Sequence, residues 1–170
     1  MRILPIEKIT DKEKANKFLL GIIFNQAEQA WQAPKIIMER LGTNDINRIV
    51  SLNPEIIENA VSRYLAVHPF IHNTTGFFLR SCQSLITKYD SDARNIWTPA
   101  CDVSELISKL TEFAGISKHK AIVGVFILTV EIDIVVYDDG TNIDIAKEYP
   151  ALSSIYGPFD KPLLTLKEKI

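Results

Sequence analysis

The densest concentration of groups able to hold an anion lies in Leu110-Thr-Glu-Phe-Ala-Gly-Ile-Ser-Lys-His-Lys-Ala121. A helix is expected to end here, a tight turn to pass through Gly115, Ile116 and Ser117, and a second helix to begin at Lys118. Glycine lets the backbone approach a ligand closely, and the first N–H groups of the next helix point outward at its positive dipole end. Lys118 and Lys120 add charge at the same spot, with His119 between them. A phosphate diester of DNA suits such a turn, because backbone contacts position a protein without reading sequence. The plainer alternative is an ordinary connection between two helices.

Other reactive side chains are fewer. His68 and His72 are four apart, the spacing of a metal pair on one helix face, but Pro69 and the cap-like Asn73-Thr74 interrupt that helix, so no metal site is expected. Cys82 and Cys101 are the only cysteines, too few for a four-cysteine zinc or iron–sulfur site. Cys82 falls on an apolar stripe and is expected as a buried thiol. Asp138-Asp139-Gly140 reads on its own as a solvated turn. Trp31, Trp97, Phe77 and Phe78 are core candidates.

The chain that must position these groups has 170 residues, 46% of them hydrophobic and 24% charged. That is one domain's worth of ordinary globular composition, which excludes disorder, collagen-like repeats and a disulfide-stapled mini-protein. The longest apolar run, 121–128, is far short of a membrane span, so no membrane partner is expected. Two cysteines and no recognisable signal peptide place the chain, as an expectation, in the reducing cytoplasm. Oligomeric state is left open. The net charge of −2 argues against coating nucleic acid by bulk electrostatics. Its distribution says more: residues 63–120 carry seven basic and five acidic side chains, whereas 121–170 carry four and eight.

Helix punctuation recurs along the first two thirds. Thr10 with Glu13 forms a capping-box pattern that predicts a helix to about Gln29. Pro34 suits a first helical turn, and Gly42 closes the short segment 36–41. Asn53-Pro54 predicts a helix from Glu55 to about Ala66, and His68-Pro69 breaks the chain. Thr74 or Thr75 is expected to open a helix over 76–89. Asp102 with Glu105 predicts another through Phe113. After residue 120 the signals conflict. Ile122, Val123, Val125, Phe126, Ile127 and Val130 favour a strand by propensity, as do Ile132, Ile134, Val135 and Val136. Ser117 is nevertheless a good helix N-cap.

The turn at Gly115 resembles the helix-hairpin-helix of the endonuclease III-like DNA glycosylases, whose loop usually reads Leu-Pro-Gly-Val-Gly. Here it reads Phe113-Ala114-Gly115-Ile116-Ser117, keeping the first glycine but not the proline or the second glycine. Phe18-Leu-Leu-Gly-Ile-Ile-Phe-Asn-Gln26 is similar to that family's first core helix, which ends near a glutamine reaching the DNA. Phe77 to Trp97, with Leu79-Arg80 and Asp92-Ala-Arg-Asn-Ile-Trp97, looks like the segment before the hairpin in one branch of the superfamily. Val136-Tyr137-Asp138 resembles the dipeptide that carries its catalytic aspartate. The likeness runs over about residues 15–160.

The resemblance implies an all-α, endonuclease III-like fold in a single domain over residues 1–170. It turns the ambiguous stretch after Ser117 into a helix ending near Leu128, followed by an extended connector at 131–137. It implies double-stranded DNA as partner, held through Gly115, Ile116, Ser117, Lys118, His119, Lys120 and Gln26, and Asp138 as the catalytic carboxylate, with Asp139 as the substitute. His119 stands where family members that also cut the strand carry a Schiff-base lysine. Lys118 and Lys120 lie about 100° to either side of it on a helix, so efficient lyase activity is not expected. No cysteine follows Cys101, so no iron–sulfur cluster and no other cofactor is expected. The implied function is monofunctional excision of a damaged base. The alternative is a catalytically inactive DNA-binding or protein-interaction module that keeps the glycosylase fold, which the acidic last third favours. A third reading is a mixed α/β domain with two strands in 122–136.

Overall fold

The structure, a computed structural model, describes residues 8–24, 31–64, 71–99 and 102–130, together with 132, 134, 136, 139–141 and 143. Among these the regular structure is helical, with no strand. In chain order the helices are α1 (Lys12–Ile23), α2 (Ala33–Leu41), α3 (Ile46–Val50), α4 (Pro54–Tyr64), α5 (Ile71–Tyr89), α6 (Arg94–Trp97), α7 (Val103–Thr111) and α8 (Lys118–Val130). The expected all-α class holds at that level. They gather into two compact units. The first holds α1 to α5 with the turn residues Phe113–Gly115, the second holds α7 and α8 with the described residues after them, and α6 lies where the chain passes from one to the other.

In the first unit, α1 is buried at Ala15, Asn16 and every residue from Phe18 to Ile23. A helix apolar on most sides is one that others surround, and α1 packs against both α2 and α5. Its cap is Asp11, whose carboxylate accepts the Lys14 N–H at 2.9 Å, so the start falls one residue after the expected Thr10. Both residues are good N-cap types, and the backbone leaves the extended conformation only after Asp11. The helix closes at Phe24, well short of Gln29. Trp31 stacks on Phe18 at 5.7 Å between centroids, and its ring would lie 3.1 Å from a Cβ at Gly21. The small residue in the middle of α1 therefore admits an indole.

The punctuation of α2 and α4 is as expected. Pro34 occupies the first turn of α2, and Gly42 ends it at φ +71°, with Thr43 N–H reaching back to Met38 C=O. Asn53 caps α4, its side-chain oxygen accepting the Glu55 N–H at 2.9 Å. Arg40 ties the two helices together by donating to the Ala60 carbonyl at 2.9 Å. By contrast, α5 begins at Ile71 instead of residue 76, and Thr74 and Thr75 are interior residues, 8% and 6% exposed. Threonines on a buried face mimic caps in sequence because both roles use the same hydroxyl. Cys82 is fully buried in α5, and desolvation pushes its thiol up to about 12, as a buried thiol should behave.

One polar residue crosses the first unit. Asn16 is 2% exposed, yet both ends of its amide are paired. Its nitrogen donates to the Ser91 carbonyl at 2.9 Å, and its oxygen accepts the Ala93 N–H at 2.8 Å. These bonds pin the turn after α5, where Asp90 and Ser91 hold left-handed backbone at φ +54° and +61°. Consecutive non-glycine residues there are costly and persist only when their surroundings fix them.

In the second unit, α7 is capped by Asp102, which accepts the Glu105 N–H at 2.8 Å as the capping-box pattern predicts. It ends at Thr111, two residues before Phe113. The strands that propensity favoured over 122–130 do not form. Ser117 caps α8 instead, its hydroxyl accepting the Lys120 N–H at 3.2 Å, and the helix runs two residues past Leu128. Every residue of α8 from Ala121 to Thr129 is buried. A helix buried all round has no polar face to mark its period, so it reads like a strand. Beyond it, Ile132 and Ile134 donate backbone bonds back to Ile127 and Leu128, covering carbonyls that the helix end would leave unpaired.

Candidate functional site

Gly115 belongs to the first unit, at φ +84°, where a Cβ would come within 2.9 Å of Phe77 Cβ and ring atoms. Glycine is demanded twice, by left-handed backbone and by contact with a phenylalanine. Phe113, beside it, stacks on Tyr89 at 5.7 Å. Gly115→Ala is expected to cost about 1–3 kcal/mol, the usual toll of a strained left-handed side chain, read as a lower urea midpoint with an unchanged slope.

In the second unit, Ile116 is buried, and Ser117, Lys118 and His119 are exposed. Lys120 is half-buried, and desolvation lowers its ammonium from the usual lysine value. Lys118 is therefore the cation that stands out at the start of α8, while the stem of Lys120 packs inward in the way long basic side chains do.

Of the two carboxylates considered, Asp138 lies outside the described residues, as do Tyr137 and Gln26. Asp139 is described and is committed to α7. One oxygen accepts the Ser104 N–H at 2.8 Å and the other the Thr141 N–H at 2.9 Å. Partial desolvation pushes its pKa up, but the Ser104 and Thr141 hydroxyls and N–H groups outweigh this and hold it well below the usual carboxylate range. A carboxyl so held stays ionised and is a weak base. Its stabilising contribution is complete above the ordinary aspartate value of 3.8 and is lost as the pH falls through and below it. The stability gap between wild type and Asp139→Asn is thus expected to be widest near neutrality and to narrow as the pH falls from about 5 towards 2, measured by thermal melts across that range.

Ser104 and Thr141 also border a cleft of about 540 Å³ within the second unit. Ile107 of α7, Ile122 of α8 and Ile143 form its apolar wall. Ser108, Thr111 and Lys118 stand along its rim. Sequence reading missed this cleft. Its one local trace is the hydroxyl series Ser104, Ser108 and Thr111, spaced four and three apart on one face of α7.

No group of three or more His, Cys, Asp or Glu side chains able to hold a metal occurs among the described residues. None of their helices is long and apolar enough to cross a membrane. His68 and Cys101 lie outside the described residues. Set beside known protein families, curated proteins and solved structures, the chain matches none of them.

Proposed function

We propose that this chain has an endonuclease III-like helix-hairpin-helix fold. It binds double-stranded DNA by its backbone through Gly115 to Lys120 and excises a damaged base without cutting the strand. The observation that carries the reading is the start of α8: a glycine at φ +84° leads, two residues on, into a serine-capped helix that presents Lys118 to solvent. An exposed cation at the positive end of a helix dipole suits a phosphate diester. Asp138 is the carboxylate of the proposal. It would stabilise the positive charge that develops on the sugar as the glycosidic bond breaks, or activate the attacking water. With His119 in place of a Schiff-base lysine, the reaction stops at the abasic site.

A duplex titration at several salt concentrations tests the binding half. Wild-type affinity is expected to fall as salt rises, and Lys118→Ala is expected to lower the slope of log affinity against log salt by about one. Salt-independent binding, or a slope that Lys118→Ala leaves unchanged, would remove the hairpin from the interface.

A further inference from the structure

We propose that the cleft of the second unit binds a free organic anion of nucleotide size, taking its phosphate or carboxylate at Lys118 and its apolar body against Ile107, Ile122 and Ile143. The volume of about 540 Å³ lies in the range of small-molecule sites. The wall is apolar, with Ile107, Ile122 and Ile143 each under 10% exposed, and offers a flat or greasy body a dry surface. Lys118, exposed where it lines the cleft, supplies a cation. Ser108 also lines the cleft and offers a hydroxyl to the polar part of such a molecule.

The inference is independent of DNA binding, although Lys118 serves both, so the decisive variant is elsewhere. Ser108 is exposed on α7, and Ser108→Leu fills the cleft with a good helix former while altering no charge. Isothermal titration calorimetry of the full chain with adenosine monophosphate and with p-aminohippurate is expected to give saturable binding for at least one of them. Ser108→Leu should abolish that binding, and Lys118→Gln should weaken it roughly tenfold or more, as loss of a charge-assisted contact does. Absence of saturable binding with both probes would overturn the inference, as would undiminished binding by Ser108→Leu. So would inorganic phosphate or adenosine binding as tightly as adenosine monophosphate, since the cleft would then not join an anion site to an apolar one. Duplex affinity measured alongside is expected to be unchanged in Ser108→Leu, which keeps failure of this site distinct from failure of the hairpin.

Discussion

Asp138→Asn is expected to reduce base excision by roughly 100-fold or more, the scale of a lost acid–base or charge-stabilising group, while leaving duplex affinity within about twofold. The assay uses short duplexes carrying uracil, hypoxanthine, alkylated or oxidised bases, with abasic products split by alkali. Removing the base from the helical stack costs roughly a few kcal/mol and is independent of the carboxylate. The asparagine variant should therefore still bind while failing at chemistry. Excision that survives in Asp138→Asn would place the carboxylate elsewhere, and Asp139 is a poor substitute because both of its oxygens hold Ser104 and Thr141. If wild type excises none of these bases yet binds duplex in a salt-dependent way, the inactive DNA-binding module replaces the enzyme.

The largest stability effect is expected at Asn16. In Asn16→Ala the Ser91 carbonyl and the Ala93 N–H lose their partner in an interior site. Each orphaned group costs about 1–3 kcal/mol, so a loss of about 2–4 kcal/mol is expected, or a fall in Tm of roughly 4–16 °C for a chain of this size. Asn16→Asp sharpens the test. Its ionised carboxylate still accepts from Ala93 but faces the Ser91 carbonyl with no proton to donate, so burial raises its pKa in the folded state. A group whose folded pKa is raised is most stabilising at low pH. Asn16→Asp should therefore recover towards wild type as the pH falls, whereas Asn16→Ala should not. Parallel pH profiles for the two variants would contradict the paired-amide role.

Much of the helical framework was legible because its ends are local events. Asn53-Pro54, Asp102 with Glu105, and Pro34 with Gly42 mark boundaries through contacts within three or four residues. Where two cap-type residues adjoin, as Thr10 and Asp11 do, the sequence has no means of choosing between them. α3 and α6, at five and four residues, are too short to show a period. α8 hid for the opposite reason, since complete burial erased the polar face and left only β-branched residues to read. Gly115 and Ser117 were legible as a turn, but the contact of Gly115 with Phe77 was not, because 38 positions separate them. The cleft joins residues 104 and 143, and the clamp joins residues 16 and 93. Neither leaves a pattern that neighbouring residues could betray.

The hydrogen bonds of Asn16 also join stretches of chain that are made at different times. α1 emerges from the ribosome first, with an amide on its inner face whose partners, Ser91 and Ala93, lie 75 and 77 residues further on. At about 5–20 residues per second those partners follow roughly 4–15 s later. Burial of α1 before that segment exists would leave the Asn16 amide without either partner, at about 1–3 kcal/mol for each orphaned group. A fully paired interior around Asn16 is therefore available only once residue 93 has been made.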